Sequence, residues 1–437
     1  MNEIVSNLLV YGSLPEDSIL WQLADICEKL KEGTETKAAL RTRVFHQVKN
    51  LLTVATDYAF DKNLWHNYLT FILITNENPF SLVCEKMGAQ EGTDNNFVTH
   101  DFDMFKKLFD YDFSWLEQEL SIDCFTQLTH YQAIRKKELM YNKNVSEKVR
   151  TLSEKLETAE SGADFFQYVT EFYKDYGVGM FGLNKAFRIA ENKDGSVRFL
   201  PINNMDAVML DDLIGYELQK KKLVENTQAF CDGKAANNVL LFGDSGTGKS
   251  TSIKAIVNQF YPQGLRMIEI YKHQFKDLST IIAQIKNRNY KFIIYMDDLS
   301  FEEFEIEYKF LKAVIEGGVE TKPDNVLIYA TSNRRHLIKE TWKDREDMEH
   351  SEDLHRSDTM EEKLSLVNRF GLSIFYAKPN KEGFNEMAVA LARRAGITPE
   401  VMTDEEICYE ANRFEMRGGG LSGRTAQQFA NYLLTIK

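Results

Sequence analysis

The chain has 437 residues, of which 43% are hydrophobic and 27% charged, and a formal net charge of −13. This length exceeds one ordinary core and predicts two or three domains of a soluble globular protein, not a disordered one. The acidic balance argues against a general polyanion-binding surface and leaves room only for a local basic groove.

Cys27, Cys84, Cys124, Cys231 and Cys408 lie far apart and none forms C-x-x-C. That spacing suggests neither a zinc site nor a disulfide framework, and reads as buried thiols in a reducing compartment. The N-terminus has no basic stretch followed by an apolar core, and the most apolar run, Tyr68 to Ile74, is too short to span a bilayer. The expectation is a cytoplasmic protein with no membrane partner.

Residues 1 to about 176 read as mostly helical. Ser13-Leu14-Pro15-Glu16 has the form of a capping box, followed by Ile19, Leu20, Leu23, Ile26, Cys27 and Leu30 at helical spacing up to Gly33. Val44, Val48, Leu51, Leu52 and Ala55 form a second stripe, and Leu64 to Ile74 is apolar on most faces. Asn78-Pro79-Phe80-Ser81 opens a helix that should stop near Gly88. Gly88 to His100 is polar and reads as a loop before a helix beginning at Phe102. Ser161-Gly162-Ala163-Asp164 caps a helix carrying Phe165, Phe166, Val169, Phe172 and Tyr173. His46, His66, His100 and His130 are scattered and suggest no catalytic constellation. The aromatic stripes read as core rather than as a nucleic-acid platform, so the default for this half is an adaptor or partner-binding domain. Around Asn192-Lys193-Asp194-Gly195 the pattern turns to alternation, which predicts a β-hairpin at roughly 185–202.

The next stretch, Gly243-Asp244-Ser245-Gly246-Thr247-Gly248-Lys249-Ser250-Thr251, has the form G-x-x-x-x-G-K-S. A β-prone run, Asn238 to Phe242, precedes it, and a helical pattern from Lys249 to Phe260 follows, the context a phosphate-binding loop requires. The glycines let the backbone approach a phosphate, and successive N–H groups at a helix N-terminus face the anion. Lys249 would reach the β- and γ-phosphates of ATP, and the Ser250 hydroxyl would hold Mg²⁺.

Arg266 to Ile270 reads as a second strand. Phe292 to Met296 reads as a strand ending in Asp297-Asp298, the pattern of a Walker B strand. Asp297 would hold Mg²⁺ and Asp298 would orient or deprotonate the attacking water. A further strand, Val326 to Thr331, ends in Thr331-Ser332-Asn333; the Asn333 amide can hydrogen-bond that water with either end. Leu372 to Tyr376, preceded by Asn368-Arg369-Phe370-Gly371, is a fifth strand. Strands alternating with helices imply a parallel sheet with ligand at the strand carboxyl ends. Past Pro379 the pattern is all helical, with the last helix opened by Leu421-Ser422-Gly423-Arg424-Thr425-Ala426.

This order of motifs resembles an AAA+ ATPase. Over about 211–437 the chain also resembles the bacterial ATP-binding family catalogued as domain of unknown function 815. The matching residues include Gly215-Tyr216-Glu217, Asp297-Asp298-Leu299-Ser300-Phe301, Ala330-Thr331-Ser332-Asn333-Arg334-Arg335-His336, Glu362-Lys363-Leu364-Ser365-Leu366, Asn368-Arg369-Phe370-Gly371-Leu372 and Ser422-Gly423-Arg424-Thr425-Ala426. The resemblance implies an α/β P-loop core with a parallel sheet and a C-terminal helical lid, preceded by a mostly helical N-terminal domain. It implies Asn333 as sensor 1, Arg424 as sensor 2, and Arg369 as an arginine finger for a neighbouring subunit. Ile214 and Gly215 match the segment that lines the adenine pocket. Many AAA+ proteins end the Walker B strand in Asp-Glu, so the shorter Asp298 is a departure.

The expected organisation is a helical domain at 1–184, a hairpin linker at 185–205, an ATPase core at 206–379 and a lid at 380–437. Lys343 to Lys363 is crowded with acids plus His350 and His355; it reads as a solvated loop, with a metal site as the alternative. Arg334-Arg335 could face a neighbouring subunit, DNA or glutamates. The leading expectation is an oligomeric, ATP-hydrolysing motor or switch whose helical half binds an unknown protein client. The alternatives are a nucleic-acid loader related to replication initiators, which the acidic balance disfavours, and a nucleotide-gated scaffold with little turnover.

Overall fold

The computed structural model describes residues 1–133, 143–192, 194–203, 205–301, 307–316, 323–333, 367–416 and 418–435. Arg334, Arg335, His336, the 343–363 loop and the 362–366 motif lie outside them. The chain forms two compact units, Met1–Asn184 and Lys185–Lys437.

The first unit is helical: α1 Asn2–Val5, α2 Ile19–Glu32, α3 Lys37–Tyr58, α4 Leu64–Thr75, α5 Pro79–Met87, α6 Asp94–Phe109, α7 Ser114–Leu120, α8 Cys124–Thr129, α9 Lys143–Glu157, α10 Gly162–Tyr176 and α11 Gly179–Leu183. Local chemistry fixes many of the starts. Asn78 and Ser161 form reciprocal capping boxes with Ser81 and Asp164. The first long helix differs from expectation: it starts at Ile19, where the Ser18 side chain accepts from the Trp21 N–H, not at Ser13. The polar 88–100 stretch also differs, because α6 begins at Asp94. Val98 and Asp101 are already buried there, so tertiary packing rather than an apolar run holds its first turns. Asp101 is buried because the N–H groups of Leu9, Val10 and Tyr11 all donate to its carboxylate, at 2.9, 2.7 and 2.9 Å. The core of this unit includes Leu69, Leu73 and Phe105, each fully buried and each stabilising by about 1.5–3 kcal/mol.

In the second unit the strands are β1 Ala186–Glu191, β2 Val197–Pro201, β3 Val239–Gly243, β4 Leu265–Glu269, β5 Lys291–Met296, β6 Val326–Ser332 and β7 Leu372–Tyr376. They form one sheet in the order β2-β1-β4-β5-β6-β3-β7. All neighbours are parallel except β1 and β2. The hairpin expected as a linker is the rim of this sheet, since Ala186 to Arg188 pair with Met267 to Glu269 of β4. Sequence alternation reveals a hairpin but not the strand it joins.

β6 is buried along its whole length and β5 nearly so, which is why both read as continuous apolar runs. The helices here are α12 Glu217–Cys231, α13 Lys249–Phe260, α14 Leu278–Ile285 and α15 Glu307–Glu316. Ile253, Ile256, Val257 and Phe260 of α13 share a core with Val239, Leu241 and Tyr329 of the sheet. The lid helices, α16 Lys381–Arg394, α17 Asp404–Glu415 and α18 Gly423–Thr435, close their own core around Phe384, Ala388, Ile407, Ala411 and Phe429. Ile214 and Tyr216 pack against that lid core.

Candidate nucleotide site

The sheet sets the stage. β3 lies between β6 and β7, and the chain passes from β3 over β6 and β5 to reach β4. The crevice at the carboxyl ends of such a switch point is where open α/β sheets take ligands. The parallel register brings Gly243, Asp297 and Asn333 to that same end.

Between β3 and α13 the loop is tightly specified. Gly243 has φ +131°, and a Cβ there would lie 2.2 Å from the Tyr376 carbonyl oxygen. Gly246 has φ +78°, its carbonyl accepts the Arg424 N–H at 3.2 Å, and a Cβ on it would press on Ser422 and Arg424. The lid therefore rests on the loop through backbone that only glycine permits. Asp244 ties the loop down, its carboxylate accepting the Lys378 N–H at 2.9 Å.

Lys249 is 6% exposed. Its ammonium donates to the Gly243 and Asp244 carbonyls at 2.9 and 2.6 Å and to Asn333 Oδ1 at 3.0 Å. Burial lowers its pKa, with Asp298, Asp244 and Asp297 opposing. An ammonium can only donate and a carboxylate only accept. The Asn333 amide obeys both: its oxygen faces Lys249, and its Nδ2 donates to Asp298 Oδ1 at 2.7 Å.

Beside this run lies a second one. Ser250 and Thr331 both donate to Asp297 Oδ1, at 2.7 and 2.6 Å. The cleft walls strip part of the hydration of Asp297, which alone would raise its pKa; the Thr331 and Ser250 hydroxyls outweigh this and hold it below the usual carboxylate range. The Ser250 hydroxyl and the Asp297 carboxylate are hard oxygen donors side by side, the set that Mg²⁺ takes with phosphate oxygens. Asp298 has φ +49°, and its N–H donates to Thr331 Oγ1 at 2.9 Å.

These groups line one cleft of about 580 Å³. Ser245 to Thr251, Asp297, Asp298 and Asn333 line it, with Arg424 from the lid and Ile214 at the apolar end beside Met387 and Leu391. Gly215 stands just outside, with φ +80° and its Cβ position 3.5 Å from the Met387 methyl group. Arg369 does not line the cleft. It precedes β7, whose first residue Leu372 pairs with Val239 at the start of β3. The length of β3, ~13 Å at 3.3 Å per residue, thus separates it from the β3–α13 loop. Among the described residues no cluster of three or more His, Cys, Asp or Glu side chains could hold a further metal. No described helix is long and apolar enough to cross a membrane.

Thr331 reads from the sequence only as part of the Thr331-Ser332-Asn333 strand end, with no role of its own; it is the last residue but one of β6, and Asn333 directly follows the strand. Met387 and Leu391 gave no signal beyond helical periodicity.

A family model described as a protein of unknown function, DUF815, matches residues 183–436, more than half of the chain. The chain belongs to the DUF815 family. The matched span begins before β1, so the hairpin rim falls within the DUF815 module. That module is an α/β sheet with β3 between β6 and β7, followed by three C-terminal helices. A comparison with curated proteins returned no match. Among solved structures, a variant of RuvB from Thermotoga maritima has a TM-score of 0.36 and 17% identity, covering 52% of this chain and 65% of that one. A second variant of the same protein has a TM-score of 0.36 and 18% identity, covering 52% and 66%. The match thus spans just under two thirds of those structures, and likeness at this level bears on neither activity nor assembly.

Proposed function

We propose that this DUF815 protein binds ATP with Mg²⁺ in the cleft and hydrolyses it at an interface between copies of the chain, driving or switching a protein client held by the helical N-terminal unit. The observation that carries this reading is the hydrogen-bonded run Lys249–Asn333–Asp298 beside the run Ser250–Asp297–Thr331. Phosphate loop, acceptor for a water proton and cation ligands then share one strand-end crevice.

In this reading the N–H groups of Ser245 to Thr251 take the phosphates, and Lys249 exchanges its carbonyl partners for phosphate oxygens. Mg²⁺ held by Ser250 and Asp297 would neutralise charge on the phosphates. Asp298 accepts the proton of the attacking water, and Asn333 keeps its carboxylate aimed. Ile214, with Gly215 behind it, takes the adenine at the apolar end. Arg424 reports the phosphate state to the lid. Arg369 is too far from its own site to act there and serves the site of the next copy.

The test is ATP turnover by the full chain in Mg²⁺ and in EDTA, with and without DNA, for wild type and Asp298→Asn. Mg²⁺-dependent turnover that Asp298→Asn loses while retaining ATP binding supports an ATPase. ATP binding with wild-type turnover no greater than that of Asp298→Asn makes the protein a nucleotide-gated scaffold instead. Strong stimulation by DNA would move it to the nucleic-acid loaders.

A further inference from the structure

Tyr295 is the last residue but one of β5, and Asp297 directly follows the strand. Its residue is 1% exposed, within the core shared by the sheet and α13. The hydroxyl nevertheless has no hydrogen-bond partner. It lies beside the Asp297 carboxylate and the Ser250 and Thr331 hydroxyls, close enough to interact with all three, but completes a hydrogen bond with none of them.

A buried, unpartnered hydroxyl works against folding, and phenylalanine would fill the same space without that cost. The hydroxyl lies beside Ser250 and Asp297, the two oxygen donors that the proposed function assigns to a cation. Asp297 Oδ1 now accepts from both Ser250 and Thr331. A carboxylate that turns to a cation beside Ser250 gives up part of that hydrogen bonding. The phenol, fixed beneath it by the core, is the next donor within reach.

Resting on the reading of Ser250 and Asp297 as cation ligands, we infer that Tyr295 is a positioning residue for the metal–nucleotide state, its O–H donating to the Asp297 carboxylate once that group engages Mg²⁺. Tyr295 touches neither nucleotide nor water. It acts by fixing the orientation of Asp297, much as outer partners orient ligands in other metal sites.

Calorimetric titration of the full-length protein with ATP, in EDTA and in excess Mg²⁺, tests this, together with thermal denaturation without nucleotide. Tyr295→Phe should bind ATP in EDTA as wild type does. Its gain in affinity on adding Mg²⁺ should be about tenfold smaller, the scale of one hydrogen bond to a charged group. Its nucleotide-free melting temperature should be equal to or above that of wild type, because no hydrogen bond is lost. In an Asp297→Asn background the same substitution should change the Mg²⁺ gain no further. An unchanged Mg²⁺ gain in Tyr295→Phe, where wild type has one, overturns the inference. A lower nucleotide-free melting temperature, or a failure to fold, overturns it as well, since the hydroxyl would then be structural. A wild type that gains nothing from Mg²⁺ removes the cation reading itself, and this inference with it.

Discussion

Asn333 holds Asp298: its Nδ2 donates to Asp298 Oδ1 at 2.7 Å while its carbonyl oxygen accepts from Lys249 at 3.0 Å. One amide thus links Lys249, at the start of α13, to the second strand-end carboxylate. Asn333→Ala should bind ATP within a few-fold of wild type but turn it over about 10- to 100-fold more slowly, the range expected when a catalytic group loses its orientation. Asn333→Asp should be no better, because it sets a second carboxylate against Asp298. Steady-state kinetics alongside a binding titration checks both; a fall in affinity with unchanged turnover would remove Asn333 from the chemistry.

Lys249→Ala should abolish nucleotide binding. The structure adds a consequence, because the ammonium bonds two loop carbonyls. The variant should therefore also be less stable, by up to about 1 kcal/mol for each hydrogen bond lost, and melt correspondingly lower. Differential scanning calorimetry and ATP titration on one preparation read both effects, and wild-type ATP affinity would refute the loop assignment.

Asp298 sits at φ +49°, a left-handed conformation that aspartate and asparagine tolerate better than other non-glycine residues. That gives a local reason for aspartate rather than the longer glutamate. Asp298→Glu should lose roughly 1 kcal/mol of stability and gain no turnover. A faster and equally stable Asp298→Glu would show that side-chain reach, not backbone conformation, limits this site.

Arg369→Ala should bind ATP normally and hydrolyse it roughly 10³-fold more slowly, if its guanidinium completes a neighbour's site. Mixing it with Lys249→Ala should restore part of the activity, since each chain supplies the half-site the other lacks. A monomer in ATP at micromolar concentration, with Arg369→Ala fully active, would rule out the shared site.

The depressed pKa of Asp297 has a signed consequence. A carboxyl whose folded pKa lies below its unfolded value adds stability that is fully present above the unfolded pKa of 3.8 and lost as pH falls through the folded one. Acid unfolding of Asp297→Asn should thus be less steep below about pH 4 than that of wild type. Superimposable acid limbs would mean that the Ser250 and Thr331 hydrogen bonds do not favour the ionised form.

The sequence by itself located the glycine-rich turn between β3 and α13, the two carboxylates after β5, Asn333 after β6 and the C-terminal helices. Each is a local pattern: glycines where φ is positive, apolar runs where a strand is buried on both faces, and polar residues where those runs stop. It also marked Asn78 and Ser161 as helix starts, because a cap bonds residues only three apart. Tertiary structure decided what depends on distant partners. The hairpin became the rim of the sheet because β4 lay open to it, which no alternation within 185–202 could announce. The start of α6 in a polar stretch depends on Asp101 receiving three N–H groups from residues some ninety positions earlier. The Lys249–Asn333–Asp298 run needs the parallel register of β3, β6 and β5, and the unpartnered Tyr295 hydroxyl is visible only once Ser250 and Thr331 are seen to bond Asp297 without it. Periodicity says which face of a strand is buried; only the assembled sheet says which oxygens meet there.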